Sequence, residues 1–449
     1  MLRPYLHLAS WLTTSLIAVS LSTLPASAQE AAAIEGKHDW LFYRYEWTTS
    51  ADLAASNTSL DLIKGFNQAL KDNGITLVVA MVPLKARIYQ AHLPDQNKLN
   101  PYMAGNYQRM AQVLNSAGVK VIDLNTSFLQ NVKSQPDKNL FFRLDSHWSA
   151  QGAMLAADTA TISMETDATL KAILRTIPTE KFSVRWTQQA IATVSRDLVN
   201  QLPKNAATYA PEMVYDVEVS KAAGSNNLLG DAPVTLISLV GSSYSKPWTR
   251  FPDLLKYSLQ KDVLTVAVGA DQGSWVGMES YLRDDAFRNN PPKLLIWEMP
   301  ERDMRAPPAF PYREERYRSD NLEWLQRVSA LVQQQCRPSP VTASLPGATK
   351  NGELNIQLSP ASDGLDYLQA QVSSKTSQTL TLEAMKGDVG GRKSSQAVPV
   401  NGDATTHSLV FALPRDGKTY TGVKITASEP GAISITELKM CRATAVSLK

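Results

Sequence analysis

The chain has 449 residues, 43% hydrophobic and 19% charged, with a formal net charge of +3. Such a composition belongs to a folded globular protein and argues against disorder, collagen-like repeats and a polytopic membrane protein. The length exceeds what one hydrophobic core usually organises, so two domains are expected; the near-neutral balance, with no basic stripe, gives no reason to expect nucleic acid as a partner.

Residues 1–28 read as a secretory signal. Arg3 precedes an apolar stretch from Leu8 to Leu24, and Ala26-Ser27-Ala28 supplies the small residues of a cleavage site before Gln29. The competing reading is a retained membrane anchor, for which the stretch is short and rich in hydroxyl residues. Cleavage implies export to the periplasm and leaves 44 basic against 42 acidic residues, a balance of +2.

Leu62, Ile63, Phe66 and Leu70 recur at helical spacing, Asn73-Gly74 ends that helix, and Ile75–Val82 is an unbroken apolar run of the kind found in buried strands. Tyr107, Met110, Val113 and Leu114 mark a second helix, stopped at Gly118 and followed by a strand over Val119–Leu124. Further strands are expected at Val234–Val240, Val263–Val268 and Leu294–Glu298, with helices starting near Trp148 and Gly273 and a last one over Asn321–Gln335. Strands alternating with helices imply an α/β domain with a mostly parallel sheet flanked by helices. Residues 168–230 lack a clean period and read as an insertion carrying short helices.

Composition shifts after Arg337. Pro338, Pro340 and Pro346 mark a linker, and short alternating stretches follow: Leu354–Leu358, Thr379–Leu382, Ser408–Leu413, Gly422–Ala427 and Ala432–Leu438. That spacing predicts a C-terminal β-sandwich domain. The expected plan is a signal over 1–28, an α/β domain over 29–337 and a β-sandwich over 338–449. Cys336 and Cys441 flank the last unit. In an oxidising compartment they are expected to pair, the alternative being two free buried thiols.

The search for a general base is short, because the chain has five histidines. His7 leaves with the signal, His407 lies in the β-rich part, His38 lies near the mature N-terminus, and His92 sits in Gln90-Ala91-His92-Leu93-Pro94. His147 sits in Leu144-Asp145-Ser146-His147-Trp148-Ser149. A carboxylate two residues earlier can fold onto the imidazole Nδ1–H, fix its tautomer and leave Nε2 free as a base. The competing reading makes Asp145 a cap and His147 a surface residue. A hydroxyl partner is offered by Val240-Gly241-Ser242-Ser243-Tyr244-Ser245, where an apolar strand runs into glycine and serine. In a parallel sheet, chemistry gathers at the carboxyl ends of the strands, and a serine there can present its Oγ beside backbone N–H groups. Glu298 and Glu301, also at a strand end, are the only pair to suggest a two-carboxylate glycosidase. No metal-ligand cluster, phosphate loop or cofactor fingerprint stands out.

At these residues the chain resembles the AlgX/AlgJ type of alginate O-acetyltransferases, exported SGNH-hydrolase-like proteins. The matching blocks are Gly36-Lys37-His38-Asp39-Trp40-Leu41-Phe42, Val82-Pro83-Leu84-Lys85-Ala86, Asp145-Ser146-His147-Trp148, Gly241-Ser242-Ser243-Tyr244-Ser245 and Ile296-Trp297-Glu298-Met299-Pro300-Glu301-Arg302. The resemblance implies a catalytic Ser243, His147 and Asp145, an acetyl-serine intermediate and no cofactor or metal. It also implies Gln272, Arg302 and Tyr244 as pocket residues, and a β-sandwich that is a carbohydrate-binding module. The partners it implies are an anionic or neutral exopolysaccharide, an acetyl-donor system such as a membrane-bound O-acyltransferase, and a polysaccharide secretion complex. The same residues also suit a polysaccharide acetylesterase or, if the site has decayed, a polymer-binding scaffold. In the β-rich part only Tyr367, Phe411 and Tyr420 are aromatic; Lys386, Arg392, Lys393, Arg415 and Lys418 are the candidates for contacting uronate carboxylates.

Overall fold

The computed structural model describes residues 31–193, 195–203, 206, 208–222, 235–311, 317–333, 335–345, 352–386, 395–402, 406–414, 418–429 and 433–442. The signal, Val234 at the start of the strand expected over Val234–Val240, and Arg392, Lys393 and Arg415 lie outside them. Among the described residues no helix is long and apolar enough to cross a membrane.

Five parallel strands form the first sheet, in the order Leu264–Ala267, Ile237–Gly241, Leu294–Pro300, Thr76–Val82 and Lys120–Ile122. Their side chains alternate between two cores. Val78, Ala80, Val82, Leu239 and Ile296 face one side, with Phe128, Ala153, Ala156 and Leu254 from covering helices. Leu77, Val79, Met81, Val240 and Trp297 face the other, against Phe66, Tyr107, Trp275 and Trp324. Burial on both faces is why these strands read as continuous apolar runs. The result is an α/β domain three layers deep, as the alternation of strands and helices predicts.

The segment 168–230 departs from expectation. One helix, Ala168–Arg175, opens it, but Phe182–Trp186 then pairs antiparallel with Val217–Lys221, and Ile191–Ala192 pairs with Met213–Val214. Phe182, Val184 and Trp186 alternate with exposed Ser183 and Arg185, the period of a half-buried strand.

Beyond residue 337 the chain forms two antiparallel sheets. One runs Thr342–Ser344, Glu353–Ser362, Tyr420–Ala427, Gln378–Lys386, Ser395–Val400; the other runs Thr406–Ala412, Asp366–Ser374, Ile433–Arg442. Ile356, Leu380 and Ile425 from the first meet Leu368, Val372 and Phe411 from the second in one core. Each stretch expected from sequence overlaps one of these strands, although Ala432 lies outside the described residues, and Thr342–Ser344, Asp366–Ser374 and Ser395–Val400 are further strands. Cys336 and Cys441 are bonded, 105 positions apart in sequence. Cys441 packs with Tyr367, Ala412 and Ala330, so the bond ties the last strand to the end of the Asn321–Leu331 helix. Replacing both cysteines by serine is expected to cost about 2–4 kcal/mol, through the longer closed loop lost from the unfolded chain. Calorimetry of oxidised wild type and the double variant checks it.

Candidate active site

Ser243 is delivered by the Ile237–Gly241 strand. A Cβ on Gly241 would lie 2.1 Å from Ser245 Oγ and 2.7 Å from Glu298 Oε2, so the turn closes only around glycine. Ser242 caps the following 3-10 turn, Ser243–Ser245, by accepting from Tyr244 N–H. Beneath it, Glu298 accepts from Ser242 N–H at 2.8 Å, Ser242 Oγ–H at 3.0 Å and Ser245 Oγ–H at 2.8 Å. Full burial pushes the Glu298 carboxyl up to about 7 against the pull of these donors. Ser243 itself stays half-buried, and its N–H has no acceptor among the described residues.

His147 comes from a tight turn closed by a bridge between Phe141 and Trp148. Ser149 caps the next helix, Ala150–Thr166, and Gly152 packs so closely on Leu140 that a Cβ would lie 2.0 Å from its carbonyl oxygen. Lys85 braces the turn from below: its buried Nζ donates to the carbonyls of Leu41 at 2.7 Å, Arg143 at 3.0 Å and Asp145 at 2.9 Å. Burial pulls its ammonium down to about 8, opposed by Glu46 and Asp145. Tyr244, fully buried, donates its hydroxyl to the carbonyl of Ser146 and sets its ring 4.8 Å from the His147 ring.

The two turns meet at the imidazole. Nε2 of His147 lies 2.8 Å from Ser243 Oγ, and Nδ1 lies 2.7 Å from Asp145 Oδ1. Asp145 Oδ1 also accepts His147 N–H at 3.0 Å, and Oδ2 accepts Asp197 N–H at 2.8 Å. Burial alone would lift the Asp145 carboxyl; the His147 hydrogen bond and charge, with these amides, outweigh it and hold the group well below the usual carboxylate range. A carboxylate at Nδ1 places the ring proton there and leaves Nε2 to accept from a serine hydroxyl, the arrangement that activates serine for attack on an ester.

The SGNH hydrolase-like domain model described as acetyltransferase AlgX matches residues 33–301, well over half of the chain. The chain belongs to this AlgX family of SGNH hydrolase-like acetyltransferases. It is 34% identical over 283 residues to the probable alginate O-acetylase AlgJ of Pseudomonas syringae pv. tomato, covering 60% of this chain and 68% of that one. The alginate biosynthesis protein AlgX of Pseudomonas fluorescens is 24% identical over 432 residues, 91% of this chain and 83% of its own. Among solved structures, Pseudomonas aeruginosa AlgX shares the fold over 92% of this chain and 95% of that chain, with a TM-score of 0.65 at 21% identity. The O-acetyltransferase domain of Pseudomonas putida AlgJ aligns with 66% of this chain and 99% of its own, with a TM-score of 0.56 at 25% identity.

Of the remaining residues singled out by sequence, Gln272 sits half-buried at the start of the Gly273–Arg283 helix, past the strand beside that of Ser243. Arg302 lies under the site: its guanidinium is 5.6 Å from the Tyr244 ring centre, 5.2 Å from that of Tyr43 and within 3.5 Å of the Tyr244 hydroxyl. Burial opposes its charge, but Tyr244, Asp303 and Glu46 together push the guanidinium further up. Glu298 and Glu301 are both buried and taken up by protein donors, Glu301 by Arg87, which leaves a glycosidase no carboxylate pair there. Two neighbours of His147 are new. Trp248, 46% exposed, meets the imidazole edge-on at 4.8 Å. Asp197 Oδ2 lies 3.8 Å from His147 Nδ1. Asp145, His147 and Asp197 offer ligand atoms within 4.8 Å of one another. Their oxygens are already committed to His147, Asp197 and Ser146 donors, so a cation would displace a complete hydrogen-bond set.

Proposed function

We propose that the protein is a periplasmic polysaccharide O-acetyltransferase working through an acetyl-serine intermediate, with Ser243, His147 and Asp145 as its triad. The observation that carries this is the unbroken relay from Ser243 Oγ through both imidazole nitrogens to Asp145, at 2.8 and 2.7 Å. Ser243 Oγ attacks the carbonyl carbon of an acetyl donor as its proton passes to His147 Nε2. The Ser243 N–H at the head of its turn stabilises the oxyanion, and the leaving group departs with the proton held on Nε2. A sugar hydroxyl then yields its proton to Nε2 and attacks the acetyl-serine, giving the sugar ester and restoring Ser243.

The relatives named as alginate O-acetylases support alginate or a similar exopolysaccharide as acceptor. Gln272 and Trp248 border the acceptor side; Tyr244 and Arg302 hold the site from beneath. The segment over 338–449 is the carbohydrate-binding module and residues 1–28 the cleaved signal. The donor system is a membrane-bound O-acyltransferase, working beside a secretion complex. The test is product analysis with a soluble acetyl donor and an oligosaccharide: acetylated sugar and a transient acetyl adduct on Ser243 are expected. Release of acetate alone, with no sugar ester, makes the protein an acetylesterase.

A further inference from the structure

Asp197 comes from the irregular segment after the Phe182–Trp186 strand, 52 residues beyond Asp145, yet it interlocks with the His147 turn in both directions. Its backbone N–H donates to Asp145 Oδ2 at 2.8 Å. Its carboxylate accepts in return from the residue between the triad members, Ser146, whose N–H reaches Oδ1 at 2.7 Å and whose hydroxyl reaches Oδ2. That same Oδ2 is 3.8 Å from His147 Nδ1. Ser146 is thus held by Asp197 on its N–H and by Tyr244 on its carbonyl. A two-residue turn has few internal bonds of its own, so these outside clamps decide how the imidazole is aimed.

We propose that Asp197 is a positioning residue for acetyl transfer: it locks the Asp145–His147 turn and sets a second negative charge against the imidazole. This rests on the triad reading above. It makes the inserted segment part of the active site and explains how a turn linking a strand-poor stretch to a helix is kept rigid. The charged and titratable groups facing the imidazole are Asp145 on its own turn and Asp197 from the insertion. Lys85 lies beneath, bonded to the Asp145 carbonyl; Tyr244 lies near the ring with Arg302 behind it, and Tyr43 lies beyond, against Arg302. Among the described residues, Asp145 and Asp197 alone bring a carboxylate oxygen within 4.0 Å of Nδ1. Both are placed to stabilise the imidazolium that forms when Nε2 takes the Ser243 proton.

The experiment is a pH profile of acetyl-ester turnover by the full-length protein. Asp197→Asn keeps the size and the acceptor for Ser146 N–H but removes the charge. The neutral form of the base should then persist to lower pH, moving the acidic limb down by about one unit, the low end for a charge this close. The plateau kcat should fall roughly 3–10-fold, because the imidazolium is less stabilised, with KM little changed. Asp197→Glu keeps the charge and should restore the limb. Ser146→Ala removes one clamp and leaves the charge, so its limb should stay with wild type. An unmoved limb in Asp197→Asn overturns the proposal, as does a limb that moves equally in Ser146→Ala. Ser243→Ala run alongside separates the two readings. If it is inactive while the Asp197→Asn limb is unmoved, only Asp197 loses its role; if it turns over like wild type, the triad and Asp197 fall together.

Discussion

Ser243→Ala and His147→Ala should each lower acetyl-ester turnover by at least about 10⁴-fold, and Asp145→Asn by about 10³–10⁴-fold. The reasons differ. Alanine at 243 removes the atom that bonds the acetyl group in the proposed mechanism. Alanine at 147 leaves the hydroxyl with no base, since Nε2 is its partner at 2.8 Å. Asparagine at 145 is nearly isosteric, but its amide can present N–H to Nδ1. The ring then carries its proton on Nε2, the nitrogen facing Ser243, and can no longer accept from the hydroxyl. On the proposed mechanism the three act as one unit, so the double variant Ser243→Ala/His147→Ala should be no slower than the worse single variant. Additive losses would show that the hydroxyl and the imidazole work on separate steps, and wild-type turnover by Ser243→Ala would end the acyl-serine mechanism. Steady-state kinetics on a chromogenic acetyl ester reads all of these.

Much of this site was legible because its signals are local. The two-residue spacing of Asp145 and His147 is itself the mechanical device, and the strand feeding Gly241 announces itself as an apolar run that is buried on both faces. Likewise Ser149 marks the helix start at Ala150 by its position alone. What escaped is non-local or weakly buried. Asp197 meets Asp145 across 52 residues, and nothing in the sequence near Asp197 distinguishes it from any other loop aspartate. The ribbon of Phe182–Trp186 is short and half-exposed, so its alternation was lost among charged neighbours and the segment read as helical. Lys85 was visible only as part of a matching block, and its role of holding three carbonyls is set by the fold. In each case tertiary contact, which a local pattern does not encode, assigned the role.

The largest stability effect should come from the buried pair that ties the sheet together below the site. Glu301 follows the Leu294–Pro300 strand, and Arg87 lies in the short helix after the adjacent Thr76–Val82 strand. Their two hydrogen bonds, both 2.6 Å, join the carboxyl ends of neighbouring strands, with both side chains almost wholly out of solvent. Arg87 also donates to Met103 O and Asn125 Oδ1, and Glu301 accepts Leu84 N–H at 3.3 Å. Arg87→Met leaves an uncompensated carboxylate in this interior, a change expected to cost about 3–5 kcal/mol. Glu301→Leu strands the guanidinium instead, at a similar cost, and both variants should lose catalytic rate as the strand ends loosen. In the double variant Arg87→Met/Glu301→Leu neither charge remains to be desolvated, so it should be less destabilised than the sum of the two, and near either single variant or better. All nine tryptophans precede residue 325, so the urea transition followed by tryptophan fluorescence reports on the α/β part without the C-terminal sheets. Full additivity in that cycle would show that the pair carries no coupling, and that the carboxyl ends of the strands are held by their packing alone.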